Sequence, residues 1–151
     1  MMRDLAIERC ISPGQRGWLE LRRALWPDCT EADHATDRGA HISKPERFVA
    51  FVAYGDGGEP IGFIEASLRS DYVNGTSSSP VGFIEGLYVV ERARGRGVGR
   101  ALVQAAERWA REHGCREMAS DVLLENESGH AAHRALGFEE TDRVVYFRKN
   151  L

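Results

Sequence analysis

The sequence predicts a single α/β domain over residues 1–151, with a mixed central sheet and helices on both of its faces. Three observations lead to this fold class. The length of 151 residues suits one domain with a real core. Hydrophobic residues make up 42% of the chain and charged residues 28%, which are values of a globular protein. Segments of strand-like and helix-like periodicity follow one another in the order β-α-α-β-β-β-α-β-α-β.

The N-terminal half contains three of the predicted strands and two of the predicted helices. In order, they are a strand at 4–11, a helix at 15–26, a weaker helix at 31–40, and strands at 48–54 and 60–68. Trp18, Leu21 and Leu25 lie at helical spacing on one face, and Pro27 ends that helix. A glycine-rich turn at 55–58 joins the last two strands into a hairpin.

The C-terminal half alternates strands with helices. In order, it contains a strand at 81–90, a helix after the turn at 94–99, a short strand at 117–121, a helix at 126–136 and a final strand at 138–148. Leu102, Val103 and Ala106 lie at helical spacing in the first of these helices. Gly137 stops the second helix in a C-cap role. The small polar residues 69–80 predict a loop before the strand at 81–90.

A turn rich in glycine and arginine, Arg94-Gly95-Arg96-Gly97-Val98-Gly99, connects that strand to its helix. Backbone N–H groups in the first turn of a helix have no intrahelical partner, and the helix dipole favours an anion there. Glycines let these groups approach a ligand closely, and the arginines add positive charge. The turn therefore predicts a phosphate or pyrophosphate site, with a flexible basic loop as the alternative. Its spacing differs from the dinucleotide motif G-x-G-x-x-G, and no Walker lysine follows it.

Charge and cysteine content narrow the functional classes. The formal net charge is −3, so the overall field does not favour nucleic acid. Three cysteines without C-x-x-C spacing indicate a reducing compartment rather than disulfides or a zinc site. No apolar run of about 18 residues and no signal-peptide segment are present, so we expect a cytoplasmic protein with no membrane partner. His130 and His133 are close in sequence, but no further ligands are evident, so no metal is expected.

The spacing Arg94-x-x-Gly97-x-Gly99 resembles the Q/R-x-x-G-x-G/A pyrophosphate loop of the GNAT superfamily of acyl-CoA N-acyltransferases. The resemblance implies acetyl-CoA as the donor. It also implies that the two central strands splay apart and that the donor's pantetheine arm lies in the gap. The donor contacts expected from it are Arg94, Gly95, Arg96, Gly97 and Gly99 of the turn, Leu87 and Val89 of the strand, and Asn126. An N-cap of the last helix is the other role expected of Asn126.

Further segments resemble a narrower group in that superfamily, the bacterial aminoglycoside 6′-N-acetyltransferases. They are residues 26–28 (WPD), 70–75 (SDYVNG), 79–81 (SPV), 83–86 (FIEG), 114–121 (GCREMASD) and 135–141 (ALGFEET). The resemblance runs from Trp18 to Lys149. Thr76 stands where a cysteine is expected, Glu91 stands where a proline is expected, and residues 29–47 match poorly. It implies an aminoglycoside acceptor and a homodimer, with which an exposed apolar last strand is compatible.

Two carboxylates are the candidate catalytic residues. In the fold that the resemblance implies, Glu85 on the fourth strand and Asp121 at the end of the next strand flank the reactive end of the donor. We expect both to bind the cationic acceptor and one of them to act as the base, directly or through water. The alternatives are an outward-facing strand residue for Glu85 and a turn acid for Asp121.

Four further side chains are candidates around the reaction. Trp26 and Tyr72 are expected to form apolar walls against sugar rings, with core packing as the alternative. Glu139 is expected to face the acceptor, within its own subunit or across a dimer, with surface exposure as the alternative. Tyr146 is a candidate acid for the leaving thiolate, or else a strand residue that packs. The acids between Asp28 and Asp37 are interpreted mainly as a solvated helix face.

Three functions remain open at this point. The first is acetyl transfer to an aminoglycoside, which would give antibiotic resistance. The second is acetyl transfer to another amine, such as a polyamine or a lysine side chain. The third is a non-catalytic domain that binds acyl-CoA.

Overall fold

The computed structural model of the protein describes residues 4–151, which contain five strands and four α-helices. The elements are β1 (Ala6–Arg9), α1 (Trp18–Leu25), α2 (Glu31–Ser43), β2 (Phe48–Tyr54), β3 (Pro60–Arg69), β4 (Val81–Val89), α3 (Val98–Glu112), β5 (Met118–Ala119) and α4 (Glu127–Ala135). Their order confirms the predicted order up to α4. In this part of the chain, none of the helices combines the length and the apolar character that a bilayer crossing requires.

The five strands form one mixed sheet in the order β1-β2-β3-β4-β5. Neighbours from β1 to β4 are antiparallel, whereas β5 runs parallel to β4. Only two residue pairs join β4 to β5, Gly82 with Met118 and Phe83 with Ala119. In the part of the chain that the structure describes, residues 84–89 of β4 have no strand partner on that side. The two central strands therefore part beyond Phe83, as the resemblance implied.

Helices cover both faces of the sheet, which confirms the predicted layering. On one face, α3 packs its buried Leu102, Ala106 and Trp109 against Ile64 and Ile84 of the sheet, among other residues. On the other face, a second core joins α1 and α2 to the sheet; its members include Trp18, Leu21, Val52 and Phe63. Alternating side chains such as Phe63 and Ile64 point to opposite faces of β3, and β2, β3 and β4 each contribute residues to both cores.

A β-bulge interrupts β4 at Glu85. Ile84 pairs with Ala66 and Gly86 pairs with Glu65, so Glu85 is the extra residue on its strand. Glu85 contacts Ser67, and Gly86 lies against Trp26. The bulge thus directs two consecutive residues of β4 towards the α1 side of the sheet. Strict alternation would have placed them on opposite faces.

The predicted final strand over residues 138–148 is wrong for the single chain, because this segment pairs with no strand in the described structure. Val145, Tyr146 and Phe147 are 75%, 82% and 90% exposed. Their β-branched and aromatic side chains favour a strand, but a strand also needs a neighbour. β5, which precedes this segment in the chain and lies at an edge of the sheet, has only two residues. It is therefore shorter than the strand predicted at 117–121.

Candidate active site

The turn before α3 presents free backbone donors. Gly95 and Gly97 adopt φ values of +75° and +85°, where a residue with a Cβ is strained, and Gly97 is the N-cap of α3. Within residues 4–151, the backbone N–H groups of residues 95–100 donate no hydrogen bond. A Cβ built on Gly95 or Gly97 would meet only open space. This helix end therefore has the free donors and the open space that an anion site requires.

Two arginines near this turn are already engaged. The Nε of Arg94 donates to the carbonyl oxygen of Val89 (2.8 Å), which fastens the turn to β4. The Nη2 of Arg100 donates to the carbonyl oxygen of Ala135 (3.1 Å) at the end of α4. The sequence predicted that Arg94 binds the acyl donor. In the structure its side chain also forms a hydrogen bond that shapes the turn. Leu87 and Val89, both half-buried, lie on the part of β4 that has no β5 partner.

A cavity of about 680 Å³, the α1–α2 cavity, lies on the other side of the sheet. Trp26 and Glu85 line it together, and both were predicted at the acceptor. The indole of Trp26 packs edge-to-face on Phe63 with centroids 5.8 Å apart. A Cβ on Gly86 would overlap this indole, so the glycine lets Trp26 lie close to β4 beside Glu85. Trp26 therefore serves both packing and the cavity wall.

A network of charged and polar groups, several of them buried, forms part of the cavity wall. Arg22 is 1% exposed and donates to Glu65, which is 2% exposed, and to Asp37 Oδ2 (2.7 Å). Trp18 Nε1 also donates to Glu65 Oε2 (2.9 Å). The Arg22 guanidinium lies 4.7 Å from the Trp26 ring centroid. The network thus joins α1, α2 and β3 next to the Trp26 side chain.

Histidines complete this network. The Nε of Arg22 donates to His34 Nδ1 (3.1 Å), and His41 Nε2 lies 3.6 Å from Glu65 Oε1. Because the carbonyl oxygen of Asp37 can only accept, His41 donates its Nδ1–H to it (2.8 Å). Asp37 lies on the helix face that was interpreted mainly as solvated; its side chain is 51% exposed, and its carboxylate also binds Arg22 and lines the cavity.

Glu85 is itself held by two donors. Ser67 Oγ donates to Oε1 (2.6 Å), and Arg69 Nη2 lies 2.9 Å from Oε1 and 3.2 Å from Oε2. A third of the Glu85 side chain, 33%, remains exposed. The bulge therefore presents to the cavity a carboxylate that is already oriented and paired.

Asp121 lies in a second space, the β5–α4 cavity, of about 600 Å³. It is exposed and lies two residues after the end of β5, and Glu139 lines the same cavity. The neighbouring Ser120 hydroxyl is 2.8 Å from His133 Nε2, which ties the strand end to α4. At the rim, hydrogen bonds from Ser78 and Ser77 lower the pKa of Glu117. The structure thus places Asp121 with Glu139, and Glu85 with Trp26, in separate cavities.

Three further predicted site residues, Tyr72, Tyr146 and Asn126, lie at or near the surface. Tyr72 is 78% exposed and lines neither cavity, so the core-packing alternative is wrong for it. Tyr146 is 82% exposed, and packing is wrong for it too. Asn126 caps α4, because its Oδ1 accepts from Gly129 N (3.0 Å). Within residues 4–151, no group of three or more His, Cys, Asp or Glu side chains is arranged to hold a metal ion.

Sequence reasoning missed several residues that shape these sites, among them Arg22, Ser67, Arg69 and Cys29. Arg22 and Ser67 belong to no recognisable motif. Arg69 was assigned to a loop, whereas in the structure it is the last residue of β3. Cys29 was interpreted only as a sign of a reducing compartment, yet it lines the α1–α2 cavity. Arg22 did stand out as a charge within an apolar helical face, and that signal could have found it.

The sequence from residue 17 to residue 138 matches the Acetyltransferase (GNAT) family, and the chain belongs to this family. Its relatives include the aminoglycoside N(6')-acetyltransferase type 1 of Stenotrophomonas maltophilia. The two are 52% identical over 134 residues, which are 89% of this chain and 86% of the relative.

Solved structures agree with this membership. The fold matches AAC(6')-Iy in complex with the bisubstrate analogue CoA-S-monomethyl-acetylneamine with a TM-score of 0.92, at 42% identity over 98% of this chain and 99% of that chain. It also matches the aminoglycoside 6'-N-acetyltransferase AAC(6')-Ih from Acinetobacter baumannii with a TM-score of 0.91, at 44% identity and the same coverage.

Proposed function

We propose that this single-domain protein transfers an acetyl group from acetyl-CoA to the 6′ amine of an aminoglycoside antibiotic. The observation that carries the proposal is the α1–α2 cavity, in which the indole of Trp26 lies beside the oriented carboxylate of Glu85. Aminosugars present apolar ring faces together with cationic amines, and this pair of side chains suits both. Relatives named as aminoglycoside acetyltransferases support the same acceptor.

Acetyl-CoA is expected to bind at the C-terminal end of β4, beside the turn that leads into α3. The free N–H groups of residues 95–100 suit the diphosphate of acetyl-CoA, and Arg96 adds an exposed positive charge. The unpaired edge of β4, with Leu87 and Val89, suits the pantetheine arm. When bound there, acetyl-CoA supplies a thioester carbonyl as the electrophile. Asn126 is proposed as a further contact, since its Nδ2 is not used in capping α4.

The reaction requires a neutral amine, which the protein must obtain from a cation. A lysine-type amine has a pKa near 10.4, so its deprotonation at pH 7 costs about 4.6 kcal/mol, and less for weaker aminosugar bases. Glu85 and Trp26 bind and orient the acceptor, with Tyr72 and Glu139 as further contacts. We propose that the acceptor extends from the α1–α2 cavity to the β5–α4 cavity, where Asp121, directly or through a water, accepts the proton as the C–N bond forms and the C–S bond breaks. The coenzyme leaves as its thiolate.

Cys29 lines the α1–α2 cavity, and the state of its thiol supports direct transfer of the acetyl group from acetyl-CoA to the amine. Burial is the main cause that raises the pKa of Cys29, and the nearby Asp33 and Asp37 act in the same direction. The thiol is therefore protonated at neutral pH, and a protonated thiol is a poor nucleophile. An acyl-cysteine intermediate is not part of the proposal.

The acceptor class is tested with a thiol-release assay. Purified protein and acetyl-CoA are mixed in turn with kanamycin, spermine and a lysine-containing peptide. The proposal predicts release of coenzyme A with kanamycin above the rates with the other two amines. Preferred turnover of spermine or peptide would indicate another amine acetyltransferase, and no turnover with any of them would indicate an acyl-CoA-binding domain.

We infer that the protein acts as a homodimer in the cytoplasm. All three cysteines are unpaired, which suits a reducing compartment. The apolar segment Val144–Phe147 is exposed, and its backbone pairs with no strand in residues 4–151. The outer edge of β5 also has no partner strand among the described residues. A two-fold pair of chains could cover both surfaces at once, because each copy offers the same segment and the same edge.

Aspartates at Val145 and Phe147 are expected to separate this dimer. The paired variant Val145→Asp with Phe147→Asp places two charges in the apolar segment, so sedimentation should change from the mass of two chains to that of one. Ile11→Asp is the matched control, because Ile11 is 80% exposed near β1, at the opposite edge of the sheet. A wild-type protein that sediments as one chain would contradict the inference.

A further inference from the structure

Arg69, the last residue of β3, places a fixed cation beside Glu85. Its Nη2 lies 2.9 Å from Oε1 and 3.2 Å from Oε2 of the carboxylate. Its guanidinium carbon lies 3.5 Å from the ring centroid of Phe83, which is itself 6% exposed. Because stacking on a buried aromatic ring holds the guanidinium from a second side, a ligand can approach Glu85 without displacing it.

The two oxygens of Glu85 are used unequally. Oε1 accepts from both Ser67 and Arg69, whereas Oε2 meets only the longer contact to Arg69 among the described residues. A carboxylate oxygen has two lone-pair sites, so Oε2 retains the capacity to accept an N–H from an acceptor in the α1–α2 cavity. Arg69 and Ser67 therefore select the oxygen that meets the ligand.

The Arg69 charge changes what Glu85 offers to an amine. A lone carboxylate stabilises an ammonium ion, and so it opposes the loss of the proton that acyl transfer requires. A carboxylate paired with a guanidinium has no net charge, yet it can still accept a hydrogen bond. An amine at Oε2 also lies close to Arg69, and a nearby positive charge disfavours the protonated form of the amine.

Given the proposed transfer to an aminoglycoside, on which this rests, we propose that Arg69 is a positioning residue that compensates the charge of Glu85. It lets Glu85 orient the acceptor amine without holding that amine as an ammonium ion. Arg69 thereby favours the neutral nucleophile at the expense of ground-state affinity. The base that removes the proton is a separate group.

Arg69→Met tests this directly, since methionine keeps an apolar side chain over Phe83 and removes the charge. The KM for kanamycin is expected to fall about threefold, because Glu85 then binds the ammonium form more tightly. The kcat at pH 7 is expected to fall about threefold or more. The acidic limb of kcat against pH should move upward by about half a unit or more, because the bound amine loses its proton less readily. The KM for acetyl-CoA should not change.

Three comparisons make the result decisive. Arg69→Lys should restore most of the wild-type profile, because it restores the charge. In a Glu85→Gln background, Arg69→Met should move the acidic limb by less than it does alone, because only the direct repulsion between Arg69 and the amine is then lost. Arg92→Met is the matched control, since Arg92 forms an exposed pair with Glu59 outside both cavities. It should behave as wild type.

The possible outcomes separate two failures. A wild-type protein that acetylates no aminoglycoside removes the proposed function, and with it the role of Arg69. A wild-type protein that acetylates kanamycin, with an Arg69→Met variant whose KM rises and whose pH profile is unmoved, leaves the function intact. That result would reduce Arg69 to a residue that only orients Glu85, and it would overturn the charge-compensation proposal.

Discussion

Replacing Arg22 with methionine is expected to lower the free energy of unfolding by about 3–5 kcal/mol, because it leaves a buried carboxylate without its partner. Glu65 is 2% exposed, and Arg22 is the cation that donates directly to it. Trp18 Nε1 would remain as a donor, and His41 lies 3.6 Å away. For a chain of this length, the loss corresponds to a fall in Tm of about 6–20 °C, measurable by calorimetry.

Two further variants separate this explanation from a general loss of packing. Arg23→Met changes the neighbouring arginine, whose pair with Glu31 is exposed, so its Tm should stay close to wild type. The double variant Arg22→Met with Glu65→Met removes both buried charges and should regain a large part of the lost stability. A double variant as unstable as Arg22→Met alone would show that the ion pair is not the cause.

Replacing Asp121 with asparagine is expected to lower kcat/KM for kanamycin at least tenfold, and by about a hundredfold where proton removal limits the rate. Asparagine keeps the size of the side chain but cannot accept a proton as a carboxylate does. Glu85 cannot simply take over, because Arg69 and Ser67 already occupy its oxygens in part. The loss should appear in initial rates of coenzyme release at saturating acetyl-CoA.

Binding measurements show whether this loss is chemical. Asp121→Asn should titrate with coenzyme A as the wild type does, because the donor turn at residues 94–99 is untouched. Asp56→Asn, in the β2–β3 turn outside both cavities, should retain full activity. Wild-type rates in Asp121→Asn would remove this residue as the base and would direct attention to Glu85 or to solvent.

Local patterns were enough to predict most of the fold. The strand Phe48–Tyr54 was predicted with its observed bounds, because an uninterrupted apolar run meets a glycine turn at Gly55. The glycine-rich turn at residues 94–99 was also predictable, since its glycines stand at the start of an amphipathic helix, and Gly95 and Gly97 adopt positive φ values in the structure. In both cases the residues that decide the conformation lie within a few positions of one another.

The α1–α2 cavity, which is the proposed acceptor site, depends on contacts that leave no local signal. Arg22 and Glu65 are 43 positions apart, and each looks like an ordinary polar residue until the fold pairs them. The bulge at Glu85 appears only in the register between β3 and β4, so alternation along one strand could not reveal it. The segment 138–148 has strand-like residues, but no strand among the described residues pairs with it.

The position of the acetyl group on the product tests the central claim most directly. Wild-type protein, acetyl-CoA and kanamycin are incubated, and the product is analysed by mass spectrometry and by NMR. We expect a single product that carries one acetyl group on its 6′ nitrogen. A product acetylated at another amine, or unmodified kanamycin after prolonged incubation with active donor, would contradict the account.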